Sequence, residues 1–527
     1  MKNRTLQLQT DRNGFVLIVV TLTVVILALA AYTYSGTMLV ESRASMMGGR
    51  DIAARTSAES AVELVATRIL ERDNSTSADA YIDLYNSAEF KGQILIDDNE
   101  PRNRVRFSVV TPDETNAIKG AIRFGVSTEN AKFNINKLLE LDQLEEALPD
   151  EEKLGLAAMA INNIPNMDEG ILDCILDWLD GDDDRRTYGA EISDYAGLTI
   201  PYEPRNGPME DIEELLKVQG VEPEFFYGED ANQNGLLDEG EDLNEDGILD
   251  LGWSSYLTAS SREKNTTPEG DEKININMGE MTALYDAVEE QFGADAASFI
   301  VAYRLAGTEY AEQGIPSAPS GIQDQISRND IDLTIVPTYQ FNSLYDLIAG
   351  ETNPTKMVTG GNESFTSPWS EGNVLNDFPE LEKYLTVTDD AFVEGRVNIN
   401  MARLEVMQAL TSIGDLDVSV AEQIILSRPP VDDQEASANV MARRATACWV
   451  FAEGIIDLET LRTIGPYITT GGDVYTFNAI GHYDRGGPST RLHVMIDATE
   501  SVPTIRRVRD LTNLGRGYHP QTLVDAE

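Results

Sequence analysis

Cysteine, histidine and tryptophan are scarce: two, three and four in 527 residues. Two thiols, Cys174 and Cys448, exclude a disulfide-rich scaffold and a Cys₄ zinc centre. Three imidazoles, His482, His493 and His519, leave little scope for histidine chemistry. Positive charge is scarce as well: 40 Lys+Arg face 90 Asp+Glu, a formal net charge of −50. A field of that sign repels polyanions, so nucleic acid and anionic lipid surfaces are disfavoured partners and divalent cations favoured ones. GxSxG, HExxH and P-loop patterns are absent. Acidic pairs are too frequent here either to diagnose or to exclude a glycosidase; with the other motifs absent, the reading is of a non-enzyme. An apolar content of 42% supports folded cores, spread by length over roughly two to four domains.

One long uncharged run stands out. After a short polar start with Lys2, Arg4 and Arg12, residues Phe15 to Ala31 carry no charge, close to the roughly 20 residues that span a bilayer. Basic residues in front keep the start cytoplasmic and send the remainder across. Three readings fit: a cleaved signal peptide with a site at Ala28–Ala31, a plain signal anchor, or a longer device. No proline occurs from Met38 to Arg72, and Ala53, Ala54, Ala58, Ala61, Val62, Val65 and Ile69 recur at roughly helical spacing. A helix from Phe15 to Glu71 would be roughly 85 Å long, half in lipid and half an amphipathic stem.

The polar leader ending in Gly14, the aromatic Phe15 and the long helix resemble the signal of type IV pilins and type II secretion pseudopilins. That resemblance implies cutting by a prepilin peptidase between Gly14 and Phe15, with methylation of Phe15. The fifth mature residue is Val19, where major subunits carry Glu. The minor pseudopilin called protein K is the family member with this departure.

Strand-like alternation follows at 104–110 and 121–126 and returns at 474–480 and 491–496. His482 and His493 fall in or beside these late runs and read as structural. Roughly 340 acidic, helix-prone residues lie between the two β regions. They repeat one phrase three times: Lys132-Phe-Asn-Ile-Asn136, Lys273-Ile-Asn-Ile-Asn277 and Arg396-Val-Asn-Ile-Asn400. The last Asn of each suits a helix N-cap. Helical spacing follows, and in two copies a second helix runs from Ala297 to Arg304 and from Ala421 to Arg428. The phrases resemble helix-hairpin-helix or sterile-alpha-motif-like modules. Asp295, Asp415 and Asp417 sit in the hairpins and oppose phosphate binding. Cys174 shares an apolar face with Ile171, Ile175 and Trp178 and reads as buried; a bond to Cys448 is left open. Segments 258–272 and 351–378 read as linkers, and the tail after about 508 as mobile.

The most specific chemical motif spans 230–241. Asp230, Asn232, Asn234, Gly235, Leu236, Asp238 and Glu241 fit every position of an EF-hand loop, with Leu236 offering its carbonyl. A second loop begins at once with Asp242, Asn244, Asp246, Gly247 and Asp250, but places Trp253 at position twelve. The cofactor expected is Ca²⁺. A weaker cluster, Asp177-Trp-Leu-Asp180-Gly-Asp182 with Gly189-Ala-Glu191 and Tyr195, resembles a phrase of protein K and reads equally as a solvated helix end.

The fold expected is α+β: a long membrane and stem helix on a small antiparallel sheet, with a large α-rich insertion. The divisions are 1–14, 15–72, 73–131, 132–257, 273–350, 396–470 and 471–510. The resemblance implies a minor pseudopilin of the inner membrane, single-pass, with its bulk in the periplasm. It would cap the tip of the type II secretion pseudopilus with proteins I and J and bind no nucleic acid. The other reading is a calcium-binding surface adhesin or DNA-uptake protein with a pilin-like signal.

Overall fold

The computed structural model describes residues 13–73, 84, 88–113, 120–146, 149, 153–306, 328, 331–348, 357–359, 363–365, 367–413, 417–428 and 444–524. Residues 1–12 of the leader and Asp415 lie outside them.

A single helix, α1, runs from Asn13 to Asp73, 61 residues, which is about 90 Å at 1.5 Å per residue. Its first half is bare: Phe15 to Leu29 present apolar side chains with nothing packed on them. Thr21 and Thr23 turn their hydroxyls back onto the Leu17 and Val19 carbonyls, so no hydroxyl donor is left open where water is missing. The second half is amphipathic. Ala54, Ala58, Ala61, Val65 and Ile69 are fully buried, and the opposite face carries Arg55, Glu59 and Glu63.

That buried face lies on a 7-stranded sheet. The strands are β1 (Gln93–Ile96), β2 (Val105–Pro112), β3 (Ile122–Phe124), β4 (Ser127–Thr128), β5 (Val474–Tyr483), β6 (Thr490–Asp497) and β7 (Thr504–Asp510). The order is β1-β2-β5-β6-β7, with β3 on β2 and β4 on β5, and each pairing is antiparallel. The α+β class read from the sequence is the one observed. Helix and sheet meet most closely at Gly481, where an added Cβ would overlap the Ala54 carbonyl oxygen. Small residues on both sides allow this approach. The tail is not loose: Leu511, Tyr518 and Leu523 are buried against the sheet. The sequence pattern missed this because single apolar residues spaced seven and five apart show no period.

Three modules occupy the space between β4 and β5. Each opens with two residues of the repeated phrase and closes on a partner dipeptide in parallel pairing. Phe133–Asn134 pairs with Leu257–Thr258, Ile274–Asn275 with Leu385–Thr386, and Val397–Asn398 with Ile468–Thr469. The closing dipeptides belong to a second repeat, Tyr256-Leu-Thr258, Tyr384-Leu-Thr386 and Tyr467-Ile-Thr469, which the sequence reading did not single out. Ile135, Ile276 and Ile399 donate their N–H to the closing threonine carbonyls at 2.8, 2.9 and 2.9 Å.

The last Asn of each phrase does not cap a helix. Asn136 accepts from the Met209 N–H at 2.8 Å and donates to the Met209 carbonyl at 3.1 Å. Asn277 does the same to Phe341 at 2.8 and 2.9 Å. Asn400 donates to the Arg444 carbonyl at 3.1 Å. In Asn136 and Asn277 the side-chain oxygen is taken by distant backbone, and in Asn400 it has no partner. The preceding Asn134, Asn275 and Asn398 accept instead from the N–H two residues on, the Asx-turn geometry. Arg304 and Arg428 end their second helices by donating to the Asn277 and Ile399 carbonyls, both at 2.8 Å.

Two expected linkers contain structure. Within 258–272, Arg262–Lys264 pairs with Phe392–Glu394. Within 351–378, the helix Val374–Tyr384 begins and buries Val374 and Phe378. Both cysteines are buried and unbonded to each other.

His482 and His493 lie on β5 and β6 without being satisfied: both His482 ring nitrogens and His493 Nδ1 lack a partner. Burial holds the His482 imidazolium down at about 4, and burial with Arg507 and Lys132 holds His493 at about 3. The unfolded chain takes up these protons near 6.5 and the folded chain does not. Stability therefore falls as pH drops from about 6.5 toward 4. His482→Gln should remove part of that loss, roughly 2 kcal/mol between pH 6.5 and 5. Urea unfolding at both pH values, wild type against variant, checks this; equal acid losses would refute it. Separately, Gly481→Ala should lift α1 from β5 and cost about 1–3 kcal/mol, read as a lower urea midpoint, whereas Gly279→Ala, where an added Cβ meets nothing within 4 Å, should not change the exposure of α1 to proteolysis.

Candidate metal centres

The two loops predicted at 230–241 and 242–253 share one geometry at a twelve-residue step. Asp230 accepts from the N–H groups of Asn234 and Gly235 at 3.0 and 2.7 Å. Asp242 accepts from those of Asp246 and Gly247 at 3.1 and 2.9 Å. Asn234 and Asp246 each accept from the N–H two residues on, Leu236 and Ile248. Asn232 donates to Asp238, and Asn244 to Asp250, at 2.7 and 3.0 Å. Gln233, Gly235, Glu245 and Gly247 all have positive φ, from 56 to 76°. The glycines make these tight turns possible at low cost.

The loops differ in what closes and surrounds them. Glu241 reaches back to accept the N–H groups of Asn232 and Asp238 at 3.2 and 3.0 Å. In the second loop Trp253 takes that position, and its ring is buried in the module core with its N–H on the Pro165 carbonyl at 2.7 Å. Asp230, Asn234 and Glu241 are buried, whereas Asn244, Asp246 and Asp250 are exposed.

The first loop also touches the sheet and the tail. Arg491 of β6, fully buried, donates to the Asn232 carbonyl. Tyr518 donates to the Asn234 carbonyl at 3.0 Å and accepts from Asn478 of β5 at 3.3 Å. Gly235 sits on Pro112, where a Cβ would lie 2.7 Å from the ring. Sequence reasoning could not find these supports, because they come from residues far along the chain.

The donor set fits a hard cation. Asn232 Oδ1 is buried with no hydrogen-bond partner, at a position where an EF-hand uses an oxygen ligand. Burial raises the Asp230 carboxyl above its ordinary range, and Glu241 adds to the effect. A divalent ion relieves both costs.

A second acidic centre lies in the same module. Ligand oxygens of Asp180, Asp182 and Glu191 come within 4.8 Å of one another. The helix Glu169–Leu179 delivers Asp177 and Asp180 from its last turn. Arg186 answers these two, bonding Asp177 at 2.9 Å and Asp180, and reaches Asp142 at 2.9 Å. Gly189 passes so close to Asp177 that a Cβ would overlap the carboxylate. Glu191 is 3% exposed, and neither of its carboxylate oxygens has a partner. Burial, then Asp177 and Asp180, raise Glu191 to about 7. Cys174, behind this cluster, is buried as expected, and its thiol is pushed up to about 11 by burial first.

Residues 131–227, which include the first repeated phrase and this acidic centre, match the family described as type II secretion system (T2SS), protein K. A chain in the crystal structure of the GspK–GspI–GspJ complex from the enterotoxigenic Escherichia coli type 2 secretion system is also similar. That alignment covers 89% of this chain and 99% of the other, at 10% identity and a TM-score of 0.36. No curated protein matches the chain.

Proposed function

We propose that this chain acts as a minor pseudopilin of the protein K type, a reading that the match of residues 131–227 to that family supports. The observation that carries this reading is α1, bare and apolar for its first half and packed on an antiparallel sheet for its second. Such a helix is a single-pass anchor in its first half and a scaffold in its second. The finer role is structural and non-enzymatic: capping the pseudopilus tip with the family's proteins I and J, from the inner membrane, with the bulk in the periplasm. Processing by a prepilin peptidase would free Phe15, which is 73% exposed at the start of α1. Val19 supports a terminal position, because an uncharged residue there needs no neighbour's amine to pair with. The net charge supports the expectation that nucleic acid is no partner.

Mass spectrometry of the mature chain should show a start at Phe15 carrying a methyl group. Co-expression with two other minor pseudopilins of the same system should give a complex stable to gel filtration. A start after Ala31, or an intact Met1, would defeat the pilin reading.

We further propose that the first loop holds Ca²⁺ through Asp230, Asn232, Asn234, Asp238, Glu241 and the Leu236 carbonyl. Asp242, Asn244, Asp246 and Asp250 would hold a second ion or complete the first site. Asp180, Asp182 and Glu191 form a separate cation site. The ions supply positive charge that lets buried carboxylates stay ionised. Thermal unfolding of the full chain in detergent should shift upward in calcium relative to chelator, by about 2.7 kcal/mol at a hundredfold excess over Kd. Glu241→Gln should reduce the shift through the loop, and Glu191→Gln should reduce it through the other centre. Identical melting of the wild type in both media would show that neither centre binds.

A further inference from the structure

Arg403 stands just before the helix Leu404–Ile413 of the third module and is 8% exposed. A guanidinium stays charged at every pH a folded protein meets, and burying it without a counter-charge is unfavourable. Several other arginines with little exposure are answered: Arg304 and Arg428 by carbonyls, Arg444 by Glu453 at 2.8 Å, Arg186 by three aspartates, and Arg491 in part, by the Asn232 carbonyl. Among the described residues Arg403 has no carboxylate at ion-pair distance and no side-chain hydrogen bond.

Arg403 faces a chamber of about 160 Å³ between the first module, the third module and the sheet. The hydroxyls of Ser254 and Ser255 line it and are likewise unengaged among the described residues. The carboxylates that line it are already committed. Glu129 takes Lys132, Thr258 and Thr476; Asp230 takes two backbone N–H groups; Glu213 pairs with Arg509. None of the acids that line the chamber is left to neutralise Arg403. At about 30 Å³ per water, the space admits a small oxyanion with waters to spare.

We infer that this chamber is a binding site for a small oxyanion of the phosphate or carboxylate class, neutralised by Arg403 and hydrogen-bonded by Ser254 and Ser255. Guanidinium and oxyanion match in geometry, which makes arginine the residue suited to this task. The chamber shares Asp230 with the first loop, so the oxyanion is tested with calcium removed.

The test uses the full chain in detergent with chelator present. Inorganic phosphate and acetate are each titrated against chloride at equal ionic strength while thermal unfolding is followed. A saturable upward shift is expected with one of the two, and which one tells phosphate from carboxylate. Arg403→Gln should weaken the apparent affinity about tenfold or more, the loss expected for a charged hydrogen bond, and Arg403→Lys should retain part of it. Equilibrium dialysis of labelled phosphate and labelled acetate with the wild type gives a reading that does not depend on any variant folding. Absence of a saturable shift together with no retention of either label would overturn the inference, leaving water alone in the chamber. An undiminished affinity in Arg403→Gln would overturn it as well.

Discussion

The sheet closes only because the two ends of a long insertion lie side by side. β4 ends at Thr128 and pairs with Tyr475 and Thr476 of β5. Gly472, with φ of 138°, packs so tightly on Thr128 and Asn130 that no side chain fits there. Asn130 in turn donates to the Arg396 carbonyl at 3.0 Å, tying the start of the first module to the start of the third. Each module repeats the same solution at smaller scale, with its first and last residues paired in parallel. A chain built this way can lengthen inside any module without disturbing the sheet, because only the paired ends are fixed. The helix α1 then needs one flat face to rest on, and β5 supplies it at Gly481.

Much of this was legible. The bare half of α1 is a composition signal and its packed half a periodicity signal, and both are local. β2, β5 and β6 alternate strongly enough to be read, whereas β1 is only four residues long, and in β7 arginines interleave with Ile505 and Val508. The parallel pairings are two residues each, too short for any pattern to announce. The Asn phrases were visible as repeats but their task was not. A side chain that bonds a backbone 64 or 73 residues away gives no local sign of it. The two acidic loops were legible because the residues proposed to hold calcium in each lie within twelve positions. Glu191 drew notice only as part of a phrase, and nothing in the sequence says that its carboxylate is sealed against Asp180. Arg403 gave no signal, since an arginine before a helix is ordinary until its surroundings are known.

A chain with so many acids must handle them without enough cations of its own. Its arginines are therefore used several times over. Arg186 serves three aspartates, and Arg507 bonds both oxygens of Asp211 at 2.6 and 2.7 Å. Where no basic residue is available, backbone N–H groups stand in, as they do for Asp230 and Asp242. Glu382 shows the cost of failing at this: burial raises it to about 7 despite Arg396 and a hydrogen bond from Tyr345.

The first loop, finally, leans on residues that the ribosome makes last. Asn478, Arg491, Gly517 and Tyr518 follow it by more than 230 positions, yet they hold its carbonyls and its turn. A polypeptide made from its start presents residues 230–241 long before those supports arrive. The local hydrogen bonds can form at once, but the buried state of the loop must wait for the final strand and tail. The loop thus marks completion: its burial is attained only by a chain that has been delivered whole.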